Sequence, residues 1–218
     1  MRKILVLISG SGSNLQALID ACEDGRIPDA SIVHVVSDRK EAYGLKRAEA
    51  KNIATTRHGI LPYKKRHPDD SPAPTFEAAR QAYDADLAGI VLAQNPDIVV
   101  CAGFMRIVTT SFLDPLQKAA LPIINLHPSL HGDLIGANCI ERAWDEFNAG
   151  KRKETGVMVH FVIKDVDMGE PILQKEVDMT GCKTLEELQD RIHRTEHGLI
   201  VDGTRLVLER GRAPQQQP

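Results

Sequence analysis

An α/β fold, built as a single-domain, doubly wound and mostly parallel sheet, is what this sequence predicts. Three observations carry the prediction. Short, wholly apolar runs alternate with segments of helical periodicity through most of the chain. The first such run ends in a glycine-rich turn that opens a helix. Toward the C-terminal part, two strand-like segments joined by a short turn read as antiparallel strands.

Residues 3–8 (KILVLI) are apolar on both faces and read as a buried strand, followed by Ser9-Gly10-Ser11-Gly12-Ser13. A helix follows with Leu15, Leu18 and Ile19 on one face, and Ser13 with Gln16 forms a capping-box pattern at its start. Residues 31–36 predict the second strand, 41–51 the second helix, and 53–56 a short third strand. Residues 57–75, with four prolines, Lys64-Lys65-Arg66 and Asp69-Asp70, predict a solvated loop. Residues 76–94 are helical in pattern, and 97–102 and 121–126 are further buried strands. Asn138 and Glu141 predict a capped helix running to Gly150. Residues 157–163 alternate as a strand, 171–177 pair beside it, and Thr184 with Glu187 opens the last long helix. The folded domain is expected over 1–210, with 211–218 a disordered tail.

Composition narrows the function. A 218-residue chain with 42% hydrophobic residues can bury a substantial core. A net charge of −3 gives no global field favouring nucleic acid or anionic membrane, so neither is expected as a partner. No apolar run approaches a bilayer span and no signal peptide is visible, which predicts a cytoplasmic protein. Cys22, Cys101, Cys139 and Cys182 lie far apart without a C-x-x-C pair, and read as reduced thiols; no metal ligand set is visible.

Strand, Gly10-Ser11-Gly12-Ser13-Asn14, then helix outlines a phosphate cradle, because glycines admit the anion to backbone N–H groups at a helix start. As a dinucleotide fingerprint it is incomplete. Asp38 stands where a ribose-binding acid would, but Leu15 occupies the third glycine position, and no Gly-Lys-Ser/Thr ending makes it a P-loop. A tight β–α turn with no ligand is the alternative at this point.

The second motif is Ile124-Asn125-Leu126-His127-Pro128-Ser129-Leu130. Asn125 and His127, two apart on a strand, point to the same side and emerge together where Pro128 ends the strand. Asp167, in the turn Val166-Asp167-Met168-Gly169, supplies a carboxylate forty residues on. An amide donor, an imidazole and a carboxylate are the parts needed to move an acyl group onto an amine. Singly, a core histidine and a turn aspartate would be unremarkable readings.

With these residues in view, the chain resembles the phosphoribosylglycinamide formyltransferase family, the folate-dependent transformylases of purine synthesis. The resemblance runs from residue 3 through the last helix and is carried by ISGSGSNLQ (8–16), AGFMRI (102–107), NLHPSL (125–130) and VHF through DMG (159–169). The segment 136–143 looks more like the fungal branch than the bacterial one. The resemblance implies a Rossmann-like formyltransferase fold and Asn125, His127 and Asp167 as the catalytic trio. It implies that Gly12, Ser13 and Asn14 hold the substrate phosphate, and that His193 and Glu196 face its glycinamide end. It further implies a folate site formed by Arg80, Met105, Arg106, Ile107, Val108, Asn125, Ile163, Lys164, Asp165, Val166 and Asp167. The implied cosubstrate is 10-formyltetrahydrofolate, with no metal, and a monomer or weak homodimer is expected. The chain departs from the family's usual pattern at His131, which stands before Gly132 in place of a proline, and at Lys164, more often acidic.

Glu196 shares a helical stripe with Leu185, Leu188 and Ile192, so this carboxylate needs a partner: Arg191 or Arg194, or the amine of a substrate. His160 reads as a packed or hydrogen-bonded structural residue. Rival functions are a methionyl-tRNA formyltransferase, expected to carry a further basic domain, and a formyltetrahydrofolate hydrolase, expected to carry an N-terminal regulatory domain and to have no use for the phosphate loop. A nicotinamide-dependent dehydrogenase would lack its third glycine, and a non-catalytic nucleotide-binding module would leave the trio unexplained.

Overall fold

The computed structural model describes residues 1–66 and 75–211. Among the described residues, seven strands form one sheet in the order β3-β2-β1-β4-β5-β6-β7. The strands are β1 (Arg2–Ile8), β2 (Ala30–Ser37), β3 (Ala54–Arg57), β4 (Ile98–Cys101), β5 (Ile123–His127), β6 (Glu154–Phe161) and β7 (Pro171–Asp178). The first five pair in parallel, while β6 and β7 are antiparallel to their neighbours, as expected.

Alternation along β1 divides the core. Ile4, Val6 and Ile8 pack on one face with α1 (Ser13–Glu23), α2 (Tyr43–Ala50), α6 (Cys139–Asn148) and α7 (Leu185–Arg210). Leu5 and Leu7 pack on the other with α3 (Leu61–Arg66), α4 (Thr75–Ala93) and α5 (Thr110–Lys118). Both faces are covered, which is why β1 and β4 are apolar at every buried position and not alternating.

Some local expectations are corrected. Neither the Ser13–Gln16 nor the Asn138–Glu141 capping box forms. Their helices start from Gly12 (φ 72°) and Asn138 (φ 57°), and left-handed backbone does not present a side chain to the first-turn amides. Gln16 Nε2 instead donates to Asp20 Oδ1 at 2.8 Å. At α7 the pairing forms with one shift: Thr184 Oγ1 accepts from Glu187 N at 3.2 Å, while Glu187 Oε2 reaches back to Lys183 N, one residue before the cap, at 2.7 Å. The expected loop 57–75 contains α3, whose Tyr63 is buried and donates to Asp86 Oδ2 at 2.6 Å; residues 67–74 of that expectation lie outside the described residues. Helix α5 was not anticipated, because Pro115 inside it breaks the usual pattern, although Phe112 and Leu116 bury one turn apart. Most of the expected tail, 212–218, also lies outside the described residues. The four cysteines are free thiols. Among the described residues, no helix is long and apolar enough to cross a membrane.

Candidate active site

From β1 the chain winds outward through β2 and β3, then returns to β4 and proceeds to β5 on the other side. The crevice beyond the carboxyl ends of β1 and β4 is therefore the topological switch point, where open α/β sheets bind ligands. Ser9, buried at the end of β1, ties its two rims together: its N–H donates to Gly103 O at 3.0 Å, and its Oγ accepts from Met105 N at 2.8 Å. The sequence reading did not single it out, although a serine closing an apolar strand before glycines was a visible signal.

The glycine turn is shaped by close approach. A Cβ on Gly12 would lie 2.5 Å from Gly44 Cα, and Gly44 N donates to Gly10 O at 3.1 Å. Positive φ and contact with α2 both require glycine at position 12. Asn14 is buried and its Nδ2 donates to Glu196 Oε2 at 3.1 Å, which leaves its Oδ1 buried with no partner. Glu196, 6% exposed, thus meets Asn14 from across the crevice. Arg191 and Arg194, considered from sequence, bond instead to backbone carbonyls, Arg191 to Asp178 O and Thr180 O at the end of β7 and Arg194 to Asp190 O one turn back on the helix.

Asn125, His127 and Asp167 converge on a cavity of about 530 Å³. Asp167 sits in left-handed backbone (φ 57°), and its Oδ2 accepts from Gly136 N at 2.9 Å and faces His127 Nδ1 at 3.5 Å. His127 is 4% exposed, and its Nε2 donates to Leu134 O at 2.7 Å, so Nδ1 is the ring nitrogen on the Asp167 side. His160 Nδ1 donates to Phe161 O at 2.9 Å, while its Nε2 lies 3.2 Å from Asn125 Nδ2 and 3.6 Å from Asp167 Oδ1. A neutral ring accepts the first contact and a cationic ring donates to the second. Burial pushes the Asp167 carboxyl up, but His160, the Gly136 amide and His127 together hold it below the usual carboxylate range. His160 has the buried, hydrogen-bonded role expected of it, and it also bridges two members of the trio.

The turn that carries Asp167 is fixed by Gly169, where a Cβ would fall 1.7 Å from Phe161 O. Met105, Arg106, Ile107, Val108, Ile163, Lys164, Val166 and His193 also line the cavity; Arg80, Asp165, Glu196 and the turn residues Gly12, Ser13 and Asn14 do not. Met105 and Ile107 are 72% and 60% exposed, an unusual state for large apolar side chains that suits a ligand surface. Arg80 lies behind this wall and donates from Nη2 to Ile107 O at 3.0 Å. One turn on, the buried Asp84 accepts from Thr109 N at 2.6 Å, its carboxyl raised by burial and lowered in part by Thr109. Arg106 stacks on Tyr83 at 4.7 Å and pairs with Asp38 at 3.5 Å, which occupies the acid considered for ribose. Helix α4 therefore holds residues 106–109 from behind.

The loop after His127 has its own brace. Asp133 takes a forked contact from Arg152, with both bonds at 2.7 Å, and Ser129 Oγ accepts from Leu134 N at 3.0 Å, fixing the carbonyl that His127 uses. Arg152 holds the Asp133 carboxyl below its ordinary value. Such a carboxylate stabilises the fold above the unfolded pKa, and the contribution is lost as pH falls through the depressed folded value. Asp133→Asn should therefore cost about 1–2 kcal/mol at pH 7, with the gap to wild type closing as pH falls below the ordinary carboxylate range, as read by urea unfolding at each pH. A pH-independent gap would assign the cost to shape and not to charge.

Among the described residues, no group of three or more His, Cys, Asp or Glu is arranged to hold a metal ion. Residues 2–204 match the family described as Formyl transferase. The chain is 44% identical over 206 residues to the phosphoribosylglycinamide formyltransferase of Schizosaccharomyces pombe, covering 94% of this chain and 96% of that one. It is 45% identical over 213 residues to the protein of the same name from Saccharomyces cerevisiae, covering 96% and 98%. The crystal structure of glycinamide ribonucleotide transformylase 1 from Symbiobacterium toebii superposes with a TM-score of 0.78 at 37% identity, over 96% of this chain and 88% of that one. A single mixed sheet with its ligand crevice at the β1/β4 switch point, and near-full-length matches to enzymes of one kind, place this chain in the formyl transferase family.

Proposed function

We propose that this chain transfers the formyl group of 10-formyltetrahydrofolate to the primary amine of phosphoribosylglycinamide, a step of de novo purine (IMP) biosynthesis, in the cytoplasm. The observation that carries the reading is the Asp167 carboxylate standing between His127 and His160, with Asn125 beside it, at the wall of a cavity whose Gly103–Met105 rim is tied through Ser9 to the strand end that precedes the glycine turn. The residues present fit the donor. A cavity of about 530 Å³ lies within the range of small-molecule sites, and exposed Met105, Ile107 and Ile163 offer apolar surface to a flat heterocycle. They also fit the acceptor, because the orphaned Asn14 Oδ1 calls for a donor that the ribonucleotide's hydroxyl or N–H groups supply.

In this reading Gly12, Ser13 and Asn14 receive the phosphate at the start of α1, and Glu196 with His193 faces the glycinamide end. Met105, Arg106, Ile107, Val108, Ile163, Lys164 and Val166 surround the folate; Arg80 and Asp165 act from behind or at the rim. When bound, the folate supplies a formyl group on a nitrogen that can leave. The unprotonated amine attacks that carbon, a new N–C bond forms, and negative charge develops on the formyl oxygen. The second N–H of Asn125 donates to that oxygen and the positive charge of a protonated His127 beside it stabilises it further, a donor of this kind being typically worth ~10²–10³ in rate. Asp167 orients His127 and, through water, takes the proton lost by the attacking nitrogen and passes it to the folate nitrogen, whose bond to the formyl carbon breaks as the carbonyl re-forms. All these residues belong to one chain, so a monomer or weak homodimer suffices.

Thermal unfolding with added ligands separates this reading from a dinucleotide-binding one. Phosphoribosylglycinamide at 100 times its Kd should stabilise the protein by about 2.7 kcal/mol, and NAD should not. Stabilisation by NAD alone would overturn the proposal.

A further inference from the structure

The glycine turn has a neighbour on α2 that its sequence motif does not include. Arg47 reaches across the Gly12–Gly44 contact, donating from Nε to Ser11 O at 2.9 Å and from Nη1 to Gln16 Oε1 at 3.3 Å. Its Cδ lies 3.5 Å from where a Cβ on Gly12 would stand, which places the side chain against the turn itself. The Tyr43 ring flanks the guanidinium at 5.0 Å. Among the described residues no carboxylate forms an ion pair with Arg47, although most of the exposed and half-buried arginines around the molecule that make ion pairs do so within one or two turns of chain. The charge is felt across the crevice: His197, next to Glu196, is lowered first by burial, with Glu196 opposing and His193 and Arg47 adding to it.

These positions have a physical consequence. A guanidinium has five N–H donors, and only two are used in the bonds above. The Nε bond also occupies Ser11 O, a carbonyl in the turn whose negative end would otherwise oppose an anion. A cation that makes no ion pair among the described residues is thus held beside the helix start at which the phosphate is proposed to sit, where an arriving dianion would balance it.

We infer that Arg47 is a further binding residue for the ribonucleotide, its guanidinium supplying the positive charge against which the substrate phosphate is held. The inference rests on the proposed function and deepens its phosphate end. The alternative is a purely mechanical role, in which Arg47 shapes the turn through Ser11 and Gln16 and its charge is incidental.

Steady-state kinetics of wild type, Arg47→Gln, Arg47→Lys and Arg47→Ala distinguish the two. Formyl transfer by the wild type, measured first, tests the proposed function by itself, so its failure would be separable from failure of the inference. Given that activity, Arg47→Gln and Arg47→Ala should raise KM for phosphoribosylglycinamide about tenfold or more, the scale of one charge-assisted contact. KM for the formyl-folate and kcat should stay within about twofold. Arg47→Lys should recover most of the affinity, and inorganic phosphate should lose its competition against the ribonucleotide in the Gln and Ala variants alone. Recovery by Gln and not by Lys would overturn the inference in favour of mechanical support, as would equal KM increases for the substrate and for its dephosphorylated nucleoside. Unfolding midpoints of the four proteins accompany the kinetics; the loss of phosphate competition in the folded Gln variant decides the matter even where Ala fails to fold.

Discussion

Asp167→Asn should lower kcat for formyl transfer by about 10²–10⁴-fold, with both KM values changed little. The substitution preserves size and leaves an oxygen for the Gly136 N–H now bonded at 2.9 Å. What it removes is the charge that His127 Nδ1 faces at 3.5 Å and His160 Nε2 at 3.6 Å. An amide there neither favours a cationic imidazole nor carries a proton from the attacking nitrogen. The pH behaviour adds a second reading of the same residue. Because the Asp167 carboxyl is held below the ordinary carboxylate range, it stays ionised across neutral pH, and its contribution is lost only as pH falls through that depressed value. The acid limb of the wild-type kcat profile should therefore show no carboxylate titration between pH 5 and 7 from this residue. A fall in kcat of less than about fivefold in the Asn variant would remove Asp167 from the chemistry.

Gly169→Ala should be the most damaging single methyl in the molecule. An added Cβ would stand 1.7 Å from Phe161 O and 2.8 Å from Phe161 C, both backbone atoms of the strand that pairs with β5. Nothing there is a flexible side-chain end, so either β6 or the Asp167 turn must move. We expect destabilisation of at least about 3–4 kcal/mol, read by chemical denaturation, or failure to accumulate as folded protein. Any folded fraction should have weakened catalysis, because the turn carries Asp167. A stable, fully active variant would show that the turn is not fixed by this contact.

Much of this architecture could be read along the chain. The run Ile4 to Ile8 is apolar at every position because both faces of β1 are covered, and the Asn125–His127 spacing put two side chains on one cavity wall because a strand repeats every second residue. What spacing does not encode is the register between distant strands. His160 stands opposite Asn125 in the β5–β6 pairing, 35 residues away, so its place between Asn125 and Asp167 emerges only when the sheet forms. The same holds for Asn14 and Glu196, which are 182 residues apart. Arg80 shows the converse: a basic residue near the site in sequence logic turns out to hold the Ile107 carbonyl from behind the cavity wall. Local capping rules failed at Gly12 and Asn138 for one shared reason, since both adopt left-handed backbone and neither makes a side-chain cap.

The most direct test of the whole account is a product assay with purified protein, phosphoribosylglycinamide and 10-formyltetrahydrofolate together, run beside His127→Ala. The account predicts stoichiometric appearance of formylated ribonucleotide and tetrahydrofolate with the wild type, and a rate lower by ~10² or more with the variant. Folate deformylation without ribonucleotide formylation, or an undiminished rate in the variant, would contradict it.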